Sequence, residues 1–401
     1  MADSSTPRQI RPQIVIHGGA GNITHQNLPA PSRREYLSAL STILSTVYPK
    51  LLSNTLTSLD AAVKAVELLE NNPLFNAGKG AVFTLEGKNE LEASVMISRG
   101  AHKRCAGVYL LRHVKNPVLL AKELLLRDSV EEGGRAGRHN CLSGDYAEKL
   151  AGEWGLEIVD PTYFFTEKRW RQHLSDLARG NSKVEKLVDL DDGDGDFGFD
   201  EKKGGEGVGW WEEYLPQGTV GCVVLDSNGV IAAATSTGGL TNKVPGRIGD
   251  TPTPGAGFWA EEWETYERPP LRPEDLLKSC LPFSSTPTKA IKNHRAVGLS
   301  GTGNGDYFLR LSACHNITSR CRFGGRSLRQ AAREVCGPGG EMEQSAEGRG
   351  DGEGAVIGID ESGDVVMEMN CGGCFRGTVD SEGRVLVAAF ADEDLEEWNR
   401  V

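Results

Sequence analysis

A polar, acidic stretch ends at Gln217-Gly218-Thr219, and an apolar run, Val220-Gly221-Cys222-Val223-Val224-Leu225, begins there. A cut before Thr219 would give that residue a hydroxyl and a free α-amine together. An α-amine with a reference pKa of about 7.7 to 8.0 is a usable general base at neutral pH, and it would activate the adjacent hydroxyl as a nucleophile. Glycine at 218 suits such a cut. Lacking a Cβ, its peptide can take the strained geometry that internal attack by the hydroxyl needs. Read alone, Thr219 is a β-branched residue opening a strand, and most such threonines do no chemistry.

Other segments offer chemistry with a bland reading beside each. Gly301-Thr302-Gly303-Asn304-Gly305 is a glycine turn, and it lacks the Lys-Ser/Thr ending of a phosphate-binding P-loop. Cys371-Gly372-Gly373-Cys374 has the spacing of half a zinc or redox site, but no second pair accompanies it, so two buried thiols are expected. The D-x-D-G-D fragment in Asp191 to Asp196 does not make a calcium loop. Counted from Asp189, Asp194 takes the glycine position and Asp200 the glutamate position. Arg247 and Asp250, three residues apart among glycines, could be a local surface ion pair worth little. Asn76 before Ala77-Gly78 reads as a turn residue, and Thr235-Ser236-Thr237 as an ordinary strand end.

These residues need a scaffold, and the hydrophobic pattern supplies one. Strands are predicted over Gln13 to His17, Leu91 to Ile97 and Val108 to Leu111, and over Ala296 to Ser300 and Tyr307 to Leu311. Further strands are expected at Ala355 to Ile359, Val365 to Met369 and Val385 to Phe390. Thr219 to Asp226 and Val230 to Thr235, joined by Ser227-Asn228-Gly229, read as a hairpin with a type I′ turn. Helices are expected over Leu59 to Glu70 behind Ser58 as N-cap, Pro117 to Arg127, Ser143 to Trp154 and Ser327 to Val335. Asn181 to Trp210 reads as a flexible acidic linker, and Glu261 to Lys292 and Gly337 to Gly354 as inserted loops that build no core.

Several motifs together resemble the plant-type L-asparaginase and isoaspartyl aminopeptidase family of N-terminal nucleophile hydrolases. They are Ile16-His17-Gly18-Gly19-Ala20-Gly21-Asn22, Asn72-Pro73-Leu74-Phe75-Asn76-Ala77-Gly78-Lys79-Gly80-Ala81-Val82-Phe83 and Glu90-Leu91-Glu92-Ala93. After these come Gly218-Thr219-Val220-Gly221 and Ala232 to Gly239, then Asn242-Lys243-Val244-Pro245-Gly246-Arg247-Ile248-Gly249-Asp250. Gly255-Ala256-Gly257 and Gly301 to Asp306 complete the set. The resemblance spans about Gln13 to Phe390 outside the linker and the two loops. It implies an α+β fold, a four-layer αββα sandwich. Residues 1–218 would form an α subunit and 219–401 a β subunit of one composite domain, created by autocleavage between Gly218 and Thr219.

The same resemblance implies roles for single residues. Thr219 is the nucleophile, and Thr237 is the second threonine that hydrogen-bonds it. Thr302 and Gly303 are oxyanion donors, with Asn76 near the nucleophile. Arg247 binds the substrate α-carboxylate, Asp250 its α-ammonium, and Gly303 and Gly305 make backbone contacts. A planar guanidinium with two parallel N–H groups suits a carboxylate. Backbone carbonyls of Leu69, Glu70, Asn72, Phe75, Ala77 and Lys79 would wrap a structural sodium ion. No other cofactor is required. The substrate would be a small amino acid or dipeptide: asparagine, through its side-chain amide, or β-aspartyl (isoaspartyl) dipeptides.

Two features depart from the family pattern: Asp306 stands where glutamate is usual, and the Glu261 to Lys292 loop is long enough to alter the pocket. A glycosylasparaginase or threonine-aspartase is the alternative within the superfamily, but those resemble chains with aspartate before the threonine. A second alternative is an uncleaved, non-catalytic relative acting as a binding protein.

Composition limits the partners. With 44 Lys+Arg against 56 Asp+Glu the net charge is −12, so no broad nucleic-acid footprint is expected. No stretch of 18 apolar residues suggests a membrane span, and Met1 to Pro12 has no apolar signal core. Nine scattered cysteines read as reduced thiols, giving an expectation of a cytoplasmic protein. Glycine supplies 50 of the 401 residues, far above the roughly 7% usual, so special turns abound. A heterotetramer of two cleaved αβ pairs is the assembly that the resemblance implies.

Overall fold

The computed structural model describes residues 10–100, 104–188, 218–267 and 291–398. Strand β1 (Gln13–Gly21) is buried from its second residue on, and its alternation explains why. Ile14 and Ile16 face a helical layer, whereas Val15 joins Val223, Leu225, Ile231, Ala233, Ala296, Ile357 and Ile359 between two sheets. β2 (Leu91–Ile97), β3 (Cys105–Leu111) and β4 (Cys141–Ser143) precede Thr219 in the chain. β5 (Val220–Leu225), β6 (Ile231–Thr237), β11 (Gly373–Val379), β12 (Val385–Phe390) and β13 (Glu396–Glu397) follow it. Together with β1 these make a nine-stranded sheet in the order β13-β12-β11-β1-β5-β6-β2-β3-β4. Strands from the two sides of Thr219 therefore alternate in blocks across one sheet. β7 (Phe258–Glu267), β8 (Ile291–Gly303), β9 (Gly354–Asp360) and β10 (Val365–Met369) form the second, four-stranded sheet.

Helices cover both outer faces. α1 (Ala30–Leu52), α2 (Ser58–Glu70) and α3 (Pro117–Leu126) pack on the large sheet, their buried residues recurring at helical spacing, as with Leu37, Leu40, Leu44, Val47 and Leu51 of α1. A single turn, α4 (Val130–Gly133), leads to α5 (Gly144–Glu153) and then to α6 (Glu167–Val188). Helices Gly305–Leu311, Ala313–Arg322 and Leu328–Cys336 cover the small sheet through Phe308, Cys314, Ile317, Ala331 and Val335. The layers run α, β, β, α, the sandwich the sequence led us to expect.

Several local expectations change. Tyr307 to Leu311 is helical, because the Asn304 side chain caps the Asp306 N–H and the Tyr307 and Phe308 rings are buried under β8; packing overrides the β-propensity of the run. The β5–β6 hairpin exists without a type I′ turn. Of its central residues only Gly229 has positive φ, and Asp226 accepts the N–H groups of Asn228 and Val230, fixing the turn itself. Residues 181–188 belong to α6 rather than to a linker, while 189–217, including the acidic D-x-D-G-D run, lie outside the described residues. Gly337 to Gly354 does build core: a short helix, Glu341–Gln344, buries Met342, and Ala346 follows it. The other expected loop, Glu261 to Lys292, is strand at both ends: 261–267 belong to β7, where Trp263 is buried in the core, and 291–292 open β8, while 268–290 lie outside the described residues.

Candidate active site

The head of β5 lies where the two sheets face each other, which is why Thr219 is only 6% exposed. Each of its polar atoms is held from a different element. The N–H donates to Thr302 Oγ1 on β8 at 3.0 Å, the hydroxyl shares a hydrogen bond with Thr251 Oγ1 at 3.1 Å, and the carbonyl accepts from His17 Nδ1 on β1 at 2.9 Å. A carbonyl can only accept, so His17 carries its proton on Nδ1 and its Nε2 must accept. Ser300 Oγ donates to that Nε2 at 2.8 Å and accepts in turn from Thr235 Oγ1 at 3.0 Å. Burial drives the His17 pKa down to about 3, against the raising effect of its bond to Thr219, so the ring stays neutral and this chain keeps one polarity.

Thr302 Oγ1 also accepts the Ala20 N–H at 3.2 Å. Two amides on one hydroxyl oxygen orient the remaining O–H. Gly303 follows at φ 139, where a Cβ would lie 2.5 Å from the Glu353 carbonyl. At Gly218 the fit is tighter: a Cβ there would come within 2.1 Å of Gly19 Cα and 2.5 Å of the Ala20 nitrogen. Backbone cannot yield to that contact. Gly218→Ala is therefore expected to displace the 218–219 peptide and slow its cleavage by about 100-fold, the usual effect of an ångström-scale misplacement. The rate at which intact mass converts to two fragments checks this, and unchanged conversion would show that the close approach is irrelevant to the cut.

Two of the expected residues do different work. Thr237 continues the ladder in which Val220 pairs with Ser236, so it does stand beside Thr219, but its hydroxyl accepts the Gly239 N–H. The hydroxyl bonded to Thr219 belongs to Thr251, because the chain after β6 returns there. Asn76 is 2% exposed and uses its side chain on backbone, accepting from Val82 N at 3.0 Å and donating to the Gly239 carbonyl at 2.8 Å. It fastens the 72–83 loop to the end of β6. Arg169 of α6 grips the same loop through the carbonyls of Gly80 and Leu74.

Beyond Thr219 lies a polar end. Burial pushes Asp250 up to about 7 although Arg247 pulls it down, and Asp250 Oδ2 has no hydrogen-bond partner among the described residues. Arg247 Nη2 meets Asp306 Oδ1 at 3.0 Å, so the aspartate that departs from the family pattern faces Arg247 directly. Gly305 lies against both groups: a Cβ there would sit 2.3 Å from Asp250 Oδ1 and 3.2 Å from Arg247 Nη2. Thr219, Thr302, Gly303, Gly305, Arg247 and Asp250 are thus gathered at one end of the sandwich.

Sequence reasoning passed over Thr251, one residue beyond the Gly249-Asp250 motif, and gave His17 and Ser300 no role. Only His17 carried a usable signal: a histidine closing an otherwise apolar strand before a glycine run. Cys371 and Cys374 are buried thiols raised by burial, Cys371 to about 11, and no metal-holding cluster of His, Cys, Asp or Glu occurs among the described residues.

A threonine buried at the head of a central strand, between sandwiched sheets and behind a close-fitting glycine, defines an N-terminal nucleophile hydrolase. Comparison with known families narrows this. The chain belongs to the asparaginase family, whose model matches residues 10–264 and 289–388. The match steps over 265–288, so the β7–β8 tip is an insertion. The isoaspartyl peptidase of Escherichia coli K12 is 35% identical over 364 residues, covering 90% of this chain and 91% of that protein. The isoaspartyl peptidase of Salmonella typhimurium is 33% identical, covering 90% of this chain and 93% of its own length. A plant-type L-asparaginase of Pyrococcus abyssi is 32% identical over 62% of this chain and 70% of its own.

Proposed function

We propose that this chain cuts itself before Thr219 and then hydrolyses the side-chain amide of L-asparagine and β-aspartyl (isoaspartyl) dipeptides. The observation that carries the reading is the three-point hold on Thr219 behind a glycine pressed against Gly19. In the first reaction Thr219 Oγ bonds to the Gly218 carbonyl carbon and the 218–219 C–N bond breaks. Water then cleaves the resulting ester, leaving a Gly218 carboxylate and a free Thr219 amine. In the second reaction the amine takes the hydroxyl proton, Oγ attacks the substrate's side-chain carbonyl, and Thr302 with the Gly303 N–H meets the developing oxyanion. Ammonia or the amino acid leaves, and water releases aspartate from the acyl-enzyme. The names of the bacterial relatives support this substrate class.

Arg247 and Asp250 would recognise the two charges of the substrate's zwitterionic end. The packing at Gly218 disfavours the glycosylasparaginase alternative, since an aspartate's Cβ has no room beside Gly19. The test is the intact mass of fresh and aged protein, followed by assays for ammonia from L-asparagine and amino acid from β-aspartyl dipeptides. A chain that stays whole and inert under all conditions would favour the non-catalytic relative.

A pH profile follows. A carboxylate receives an ammonium only when ionised, and Asp250, raised to about 7, gains its proton as pH falls below that value. The Thr219 amine, with a reference pKa of about 7.7 to 8.0, also protonates on the acid side and ceases to be a base. In kcat/KM, which reports the free enzyme, both groups act, and the acid limb is expected to steepen toward slope 2. In kcat the bound substrate keeps Asp250 ionised, leaving slope 1 from the amine. A kcat that stays flat down to about pH 5 would remove the amine from the role of base.

The 69–79 loop suits a hard monovalent cation held structurally. Glycines at 78 and 80 leave room that a Cβ would fill, facing the carbonyl oxygens of Glu70, Pro73 and Phe75. The ion would brace the loop that carries Asn76. Two cut pairs assembling as a heterotetramer, and a reducing compartment, complete the proposal. Among the described residues Cys222, Cys314, Cys321, Cys336, Cys371 and Cys374 are buried thiols.

A further inference from the structure

We infer that Glu90 and Glu92 form a clamp that sets the position of Arg247, and that they are positioning residues for α-carboxylate recognition. The inference rests on the proposed role of Arg247. The two glutamates are alternate residues entering β2, so they share one face of the sheet. Glu90 Oε2 accepts the Gly246 N–H at 2.8 Å, and Glu92 accepts the Gly249 N–H at 3.2 Å. These two amides bracket Arg247 in the chain. Its guanidinium folds back over the same turn: the Cβ position of Gly249 lies 2.8 Å from Arg247 Nη1 and 3.3 Å from Glu92 Oε2.

The clamp is buried and lies among cations. Glu90 and Glu92 are 1% and 0% exposed, and Lys243, 5% exposed, donates from Nζ to the Glu90 carbonyl at 2.7 Å. Arg112 Nη2 holds the other Glu90 oxygen at 2.5 Å. Charged acceptors make the stronger bonds to N–H groups, and buried carboxylates tolerate that environment only with cations at hand. A short side chain or a neutral one could not span from β2 to this turn with the same hold. Neither glutamate bonds to Thr219, Thr251 or Thr302 in the described structure, so the clamp acts on substrate binding and leaves the nucleophile alone.

The experiment uses the full, self-cleaved chain with Glu92→Ala, Glu92→Gln, Arg247→Ala and the double variant Glu92→Ala/Arg247→Ala. Glu92→Ala is expected to raise KM for L-asparagine about ten- to a hundredfold, the scale of a lost hydrogen bond to a charged group, with kcat within about threefold. Glu92→Gln keeps an acceptor oxygen and falls between, and it carries the test if the alanine variant fails to fold. In the Arg247→Ala background, Glu92→Ala should add less than about twofold. Turnover of 3-aminopropanamide, which lacks the α-carboxylate, should change equally little. A drop in kcat matching the rise in KM, an additive effect without Arg247, or equal loss with both substrates would overturn the clamp. If the wild type is inert toward asparagine the activity reading fails by itself, and the same cycle read by calorimetric binding of L-aspartate then decides the clamp.

Discussion

Purified Thr219→Ala protein is expected to remain a single 401-residue chain and to release no ammonia from L-asparagine, while wild-type protein converts to residues 1–218 and 219–401. Removing a nucleophile typically lowers turnover by about 10⁴-fold or more. Here it removes the only atom that could attack either carbonyl in the proposed mechanism. The fold should survive. Alanine keeps the N–H bonded to Thr302 and the carbonyl bonded to His17, and it gives up only the contact to Thr251 Oγ1. Intact-mass measurement and a melting curve separate the two effects, and Thr219→Ser, which retains a hydroxyl, should still cut. An alanine variant that cleaved at 218–219 would end the case for this residue as nucleophile.

Thr302→Ala should lower both self-cleavage and turnover about 100- to 1000-fold, the scale of losing one oxyanion donor. It should also cost more stability than Thr219→Ala, which gives up one hydroxyl–hydroxyl bond. Thr302 is fully buried, and its oxygen accepts the N–H groups of Thr219 and Ala20, so alanine strands two buried amides at about 1–3 kcal/mol each. Thr302→Ser keeps the oxygen and should recover most of both losses. Single-turnover rates and melting temperature, measured on all three proteins, decide the matter. Lost stability with unchanged kcat would reduce Thr302 to a structural acceptor.

The sandwich was legible wherever an apolar run was bounded by glycine or a turn. Leu91–Ile97, Val365–Met369 and Val385–Phe390 have the predicted limits because each such run is followed by a polar residue or a turn. Site segments were legible for a related reason: Gly218-Thr219, Gly246 to Asp250 and Gly301 to Gly305 are contiguous, and a tight backbone approach leaves glycines in the sequence. Pairings between distant segments left no such trace. His17 and Ser300 are 283 residues apart, and nothing local distinguishes Thr251 from Thr237 as the partner of Thr219. Tyr307 to Leu311 misled because aromatic residues favour strands in general, while here the helix Gly305–Leu311 lets Phe308 fill the space above Gly301. Met342 and Ala346 sat in a glutamate- and glycine-rich loop whose composition hid two core residues.

Across the nine-stranded sheet, β1 is paired on both sides by strands from beyond Thr219, and β2 to β4 complete the edge next to β6. Once the 218–219 bond is gone, neither fragment owns the nine-stranded sheet. Unfolding then becomes dissociation, so the melting point of the mature protein should rise with its concentration, whereas that of the precursor should not. The uncut chain holds its halves at the high effective concentration of a tether, and the mature protein has given that up. Maturation is in this sense a ratchet: folding happens once, as a unimolecular event, and a denatured mature molecule faces a bimolecular search to return.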